Sequence, residues 1–353
     1  MFGVLRTLLA LLVMIGHLTD HWQIGTYAVF AFYIISGYLM TLIMQESYGF
    51  ERRGRLAFVI NRVLRLYPLY WCALLISIAA IALVGSEVAR LYHPAMQLPG
   101  TLGEWLSVGS MLYIGLFPNE VTPNLAPTTW AITVELFFYA AICLGLSRNK
   151  SRVVLWLAVS IVYTIACLAL DLGWRYRYFP IMAASLPFSI GAMLYFLKRQ
   201  GYPPLDDGVL FKPITLLVLL VVNCTGVVAY DYYFELGFYV SLFLSILLCY
   251  QLAMGETWGK VSERLDKSIG DYSYPMYLLH WQVGLIVSFL LFGKPVHDTS
   301  TNGLLSLGMS LLVIGVITWL FLRWVDRPIQ GWRRQIKRRN AEHKNAINHS
   351  VDS

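Results

Sequence analysis

Apolar stretches about as long as a membrane crossing recur along the chain, at 4–21, 25–45, 66–85, 127–146, 153–171, 178–198, 212–230, 236–254, 273–292 and 303–325. A helix needs about 20 such residues to cross the hydrocarbon core. The pattern therefore predicts an all-α polytopic membrane protein with about ten transmembrane helices. Two of the polar connections stand out. Residues 46–65 carry five arginines and have helical spacing in their latter half, which predicts a helix at the interface before the third span. Residues 86–126 contain Pro94, Pro99, Pro118 and Pro123 around an apolar run from Trp105 to Phe117. That run predicts an interfacial or re-entrant helix, in a loop long enough to be functional. Beyond residue 330 the chain turns basic and polar, so 1–330 is expected to form one membrane domain and 331–353 a disordered tail.

Charge orients these spans. With the N-terminus inside, 23 of the 27 Lys and Arg fall on one side, and the other side holds only Arg90, Arg175, Arg177 and Lys294. Basic residues favour the cytoplasmic side, so both termini are expected there. Hydrophobic residues make up 58% and charged residues 13%, against about 45–50% and 25% in soluble domains. A soluble globule is excluded, and the net charge of +7 follows membrane topology, with no nucleic acid among the expected partners. The five cysteines lie in apolar segments and are expected as free, buried thiols, with no disulfide framework or zinc site. No cleavable leader is expected, since the first span lacks a small-residue cleavage pattern and a second follows at once.

Ionisable residues inside spans mark candidate chemistry, because they are expensive in hydrocarbon. Arg6 and His17 share the first span, eleven residues and roughly 16 Å apart along a helix. Arg62 and Arg65, one turn apart, are expected to join Arg6 at the cytoplasmic face, where guanidinium groups suit phosphate. Glu135 enters the fourth span from the opposite side, roughly 12 Å deep. That is near the depth of His17, whose imidazole it is expected to orient. Asp20 and His21, three and four residues beyond His17, are expected to share its face near the outer surface. A metal is not expected, because a third ligand is lacking. His280 is expected about 12 Å from the cytoplasmic side, contacting a donor or bridging helices. Ser36 with Gly37 suits close packing or a ligand contact, and Trp130 and Tyr139 flank Glu135 as packing or as an acceptor mouth.

Taken in order, these motifs resemble those of a known family: Arg6-x10-His17, FYIISGYL from Phe32, Arg62-x-x-Arg65-LYP, TWAITVE ending at Glu135, and YPMYLLHW from Tyr274 to Trp281. The chain resembles the acyltransferase-3 family of integral membrane acyltransferases from Arg6 to Asp326-Arg-Pro. The resemblance implies transfer of an acyl group, usually acetyl, from cytosolic acyl-CoA to a glycan hydroxyl across the cytoplasmic membrane of a bacterium. No cofactor is implied beyond acyl-CoA as donor; the expected partners are a glycan or lipid-linked sugar and membrane lipids. It implies function for Arg6, His17, Arg62 and Arg65. His17 with Glu135 is then the expected catalytic pair, His17 serving as general base. Arg6, Arg62, Arg65, Ser36 and His280 are expected on acyl-CoA, and Asp20, His21, Trp130 and Tyr139 on the acceptor. Leu136 stands where many members carry a second acidic residue, Asp326 stands where Glu is common, and no hydrolase-like domain is expected after the tenth span. The rival readings are a transporter and a non-catalytic export subunit. A matched pair of broken half-helices, frequent in transporters, is not visible.

Overall fold

The computed structural model describes residues 2–205, 208–230 and 233–351. In chain order its helices are α1 Gly3–Leu18, α2 Trp22–Ile43, α3 Arg52–Val84, α4 Ser86–Tyr92, α5 Leu102–Ser110, α6 Trp130–Leu144 and α7 Lys150–Ala169. They continue with α8 Trp174–Tyr178, α9 Ile181–Arg199, α10 Pro213–Ala229, α11 Phe234–Met254, α12 Glu263–Phe292, α13 Thr301–Phe321 and α14 Arg327–Val351. Among the described residues there is no strand. Eight helical segments are long and apolar enough to cross a membrane, and Gly3–Leu18 and Pro213–Ala229 are shorter apolar helices. Together they account for the ten predicted spans.

The ends of the elements depart from the expectation in one consistent way. The predicted interfacial helix and third span are a single helix, α3, of 33 residues. At about 1.5 Å per residue it is roughly 50 Å long, well beyond the ~30 Å hydrocarbon core. Helix α12 has 30 residues and starts at Glu263, ten before the predicted span. Pro68 and Pro275 lie inside these helices without ending them. Within the stretch expected as a disordered tail, α14 runs to Val351, and 352–353 lie outside the described residues. Its first half is anchored by side chains. Asn340 donates to the Ser47 and Tyr48 carbonyls at 3.0 Å, and Arg333 Nε donates to Asn61 Oδ1 at 3.1 Å.

In the long loop, the expected re-entrant element is α5. A capping box of Thr101 and Glu104 starts it. A helix leaves its last carbonyls without partners, and here α3 supplies them. Tyr70 OH donates to the Val108 carbonyl, Trp71 Nε1 to Gly109 at 3.0 Å, and Tyr67 OH to Ser110 at 2.7 Å.

Helix α1 lies between α2 and α12, with α9 against α2. Glycines permit these close crossings. A Cβ on Gly270 would collide with Gly3, and one on Gly191 with the Ile34 carbonyl. Asp266 of α12 fixes the start of α1 by accepting from the Gly3 and Val4 amides at 2.9 and 3.0 Å. A carboxylate there satisfies two orphan amides and faces the positive end of the helix dipole. Helices α7 and α13 sit outside, exposing Leu155, Val162, Leu312 and Val316. All five cysteines are free; Cys72 is half-buried and the other four are buried.

Candidate functional site

Local geometry at the end of α1 separates His17 from the residues that follow it. The helix stops at Leu18, and Asp20 adopts φ +59°, a left-handed conformation that Asp tolerates. The His21 amide then donates back to the Gly16 carbonyl at 2.8 Å, the bond of a Schellman cap. Asp20 is exposed, and His21 Nδ1 donates to the Thr19 carbonyl at 2.8 Å. The shared helical face expected for His17, Asp20 and His21 therefore does not form. Neither Asp20 nor His21 lines a chamber with His17.

His17, penultimate in α1, meets α12 instead. Its Nδ1 lies 2.9 Å from His280 Nε2, and its ring stacks on Trp281 with centroids 5.1 Å apart. His280 Nδ1 lies 2.8 Å from the Tyr277 carbonyl. A carbonyl only accepts, so Nδ1 of His280 carries a proton, and in a neutral ring Nε2 is then an acceptor. His17 must donate through Nδ1, which leaves its own Nε2 unprotonated. Gly25 faces that nitrogen, its position for a Cβ lying 3.6 Å away. Of the two roles expected for His280, contacting a donor or bridging helices, its contact with His17 supplies the second, joining α12 to α1.

Glu135 is elsewhere. One carboxylate oxygen accepts from Ser36 Oγ at 2.7 Å and the other from Tyr139 OH at 3.0 Å. Its expected contact with His17 is absent, and Tyr139 belongs to the same cluster, not to an outer mouth. These three residues line an inner chamber of about 130 Å³ together with Arg6, Arg62 and Arg65. Arg65 is already paired, to Asp326 at 3.3 Å and Asp271 at 3.5 Å. Among the described residues Arg6 and Arg62 have no ion pair. Arg62 reaches Met40 Sδ at 3.7 Å and lies over the Phe58 ring at 5.8 Å, and its buried Nε has no hydrogen-bond partner. The chamber thus holds two guanidinium groups that form no ion pair, Arg6 and Arg62, alongside one carboxylate, Glu135.

Two further cavities extend this one in opposite directions. A vestibule of about 420 Å³ shares Arg6, Leu39, Met40, Arg62 and Arg65 with the inner chamber and adds Lys267, Arg333, Arg334 and Lys337. It opens on the face bearing the start of α1, the extended end of α3 and α14. An outer chamber of about 260 Å³ shares only Val29 and Tyr277 with the inner one, and contains His17, Trp22, His93, Asn119, Trp130 and Trp281. Trp130 lines the outer chamber and packs on Tyr178 and Phe179. His93, Asn119 and the pairing role of His280 escaped the sequence reading; Trp281 stood in a quoted motif but its role did not. Arg6 and His17 face successive chambers, so the two chambers follow one another along α1.

Comparison with known proteins agrees with this architecture. The profile of a family described as an acyltransferase domain matches residues 2–323. The chain is similar to a Komagataeibacter xylinus protein provisionally named the membrane-bound transacylase BcsY. The two are 23% identical over 329 residues, covering 89% of this chain and 80% of the relative. It is also similar to a Bacillus subtilis (strain 168) protein provisionally named the peptidoglycan O-acetyltransferase YrhL, 22% identical and covering 93% and 55%. A Staphylococcus aureus (strain COL) protein provisionally named an O-acetyltransferase is 23% identical, covering 92% and 56%. The chain therefore spans just over half the length of the last two. No solved structure matches it. On the match across 2–323, the chain belongs to the acyltransferase-3 family of integral membrane acyltransferases.

Proposed function

We propose that this protein transfers an acyl group, as acetyl, from acyl-CoA on the cytoplasmic side to a hydroxyl of a glycan or lipid-linked sugar on the far side of a bacterial cytoplasmic membrane. The observation that carries the reading is the series of cavities. A basic vestibule leads to the unpaired Arg6 and Arg62, and beyond them lies a chamber where His17 presents an unprotonated Nε2. CoA phosphates match the guanidinium groups, and its narrow thioester arm matches a passage that follows α1 inward for roughly 16 Å. Trp22, Trp130 and Trp281 supply flat apolar walls for an acceptor in the outer chamber. The relatives' names, membrane-bound transacylase and O-acetyltransferase, agree with group transfer to oxygen.

In this reading His17 Nε2 takes the proton of the acceptor hydroxyl as its oxygen attacks the thioester carbon. The C–O bond forms, the C–S bond breaks, and the same nitrogen returns the proton to the departing thiolate. The products are an ester and free CoA. His280 holds the His17 ring in the tautomer this requires. Glu135, anchored by Ser36 and Tyr139, faces the arginines in the donor chamber.

The test is thiol release from acetyl-CoA by the purified protein with glycan oligosaccharides, comparing wild type with His17→Ala. Wild type is expected to release CoA, and His17→Ala to fall at least about 100-fold while still binding CoA saturably. Equal activity in the two proteins would sink the reading.

A further inference from the structure

Acyl transfer places negative charge on the carbonyl oxygen of the tetrahedral intermediate, and a buried site needs a hydrogen-bond donor there. The outer chamber is lined by four hydroxyl groups, and each is already engaged. Thr26 donates to the Trp22 carbonyl at 3.1 Å, Thr128 to Tyr277 at 3.3 Å, Tyr178 to Thr26 at 3.2 Å, and Tyr277 to Thr128 at 3.0 Å. His17 is committed as base, with its only N–H on His280. Asn119 presents a buried, unpartnered Oδ1, and its amide N–H groups and the indole N–H groups of Trp22, Trp130 and Trp281 also line the chamber.

His93 is set apart from these by packing, together with His17, on the ring of Trp281. It ends α4, and the turn at Pro94 brings the Ala95 amide to its Nδ1 at 3.2 Å. An amide only donates, so Nδ1 is bare and the neutral ring carries its proton on Nε2. The tautomer is the opposite of that of His17. Both rings pack on Trp281, with centroids 4.6 Å away for His93 and 5.1 Å for His17, and both line the chamber. Burial, with His297 nearby, pushes the His93 pKa down to about 4, so the ring stays neutral near pH 7.

We propose that His93 is a catalytic residue whose Nε2–H donates to the acyl carbonyl oxygen during transfer. This rests on His17 being the base. As the acceptor oxygen attacks, the carbonyl π pair moves to that oxygen, which His93 holds. It returns when the C–S bond breaks, and His93 keeps its proton throughout. One chamber then presents a bare nitrogen to the nucleophile and an N–H to the electrophile.

The experiment compares His93→Leu, His93→Gln and His17→Ala in purified protein, following thiol release from acetyl-CoA with glycan oligosaccharides, and CoA binding separately. Removing such a donor costs about 100- to 1,000-fold in kcat. His93→Leu is expected to lose that much with CoA affinity within about threefold. His93→Gln, which retains an N–H, is expected to recover at least about tenfold of it. Wild-type kcat in His93→Leu alongside an inactive His17→Ala overturns the role of His93 alone, and an active His17→Ala removes the reading beneath it. If His93→Leu does not fold, His93→Gln decides: kcat as low as in His17→Ala, with CoA binding intact, overturns the proposal.

Discussion

Three groups in line, the Tyr277 carbonyl, His280 and His17, determine which nitrogen of His17 faces the outer chamber. Replacing His280 by Leu removes the acceptor for His17 Nδ1–H, and the ring is then free to carry its proton on Nε2. Nitrogen NMR of histidine-labelled protein in lipid is expected to find His17 protonated on Nδ1 in the wild type and in His280→Gln, whose amide oxygen can accept. In His280→Leu that population should fall, together with activity. A wild-type His17 protonated on Nε2 would contradict the assignment. Arg6, His17 and His280 were each visible in the sequence as polar groups in apolar runs; their partners were not. Helix rise gives the height of a residue in the membrane but not the direction its side chain takes around the axis. Glu135 was expected beside His17 on height, yet it turns towards Ser36 and Tyr139. His93 left no such signal, because it lies in a proline-rich loop whose fold depends on distant contacts.

Helix α1 is short, at 16 residues, and both of its ends are held by specific bonds. The Schellman turn at Asp20 ends it one residue after His17, and Asp266 holds its first amides. Loss of that cap in Asp266→Ala should cost about 1 kcal/mol, read as a lower thermal midpoint in detergent. An unchanged midpoint would mean that other contacts position α1. At this scale hydropathy located ten apolar helices among the described residues, eight of them long enough to cross a membrane. It missed how far α3, α12 and α14 continue, since an apolar window stops where polar residues begin while the hydrogen-bonded helix runs on. The anchoring bonds of Arg333 and Asn340 join residues far apart in sequence and leave no periodic trace.

Across the whole molecule, the charge asymmetry and the cavities share one axis. The face with the vestibule gathers Lys267, Arg333, Arg334 and Lys337 around Arg6 and Arg62, and the outer chamber at the other end is aromatic and carries no Lys or Arg. In the proposed reading the donor enters from the basic side, and the acyl group leaves on the other. Arg65, Asp271 and Asp326 tie α3, α12 and the start of α14 into a rigid rim around the entrance. Sidedness of transfer tests this passage as a whole. Inside-out bacterial membrane vesicles containing the protein expose the basic face and enclose periplasmic-face glycans, while acetyl-CoA does not cross the bilayer. Acetyl-CoA labelled in its acetyl group, added outside, is expected to label the enclosed glycans with wild type and not with His17→Ala; right-side-out vesicles are expected to stay unlabelled. Equal labelling in both orientations, or no difference between wild type and His17→Ala, would contradict a donor path from the basic face to His17.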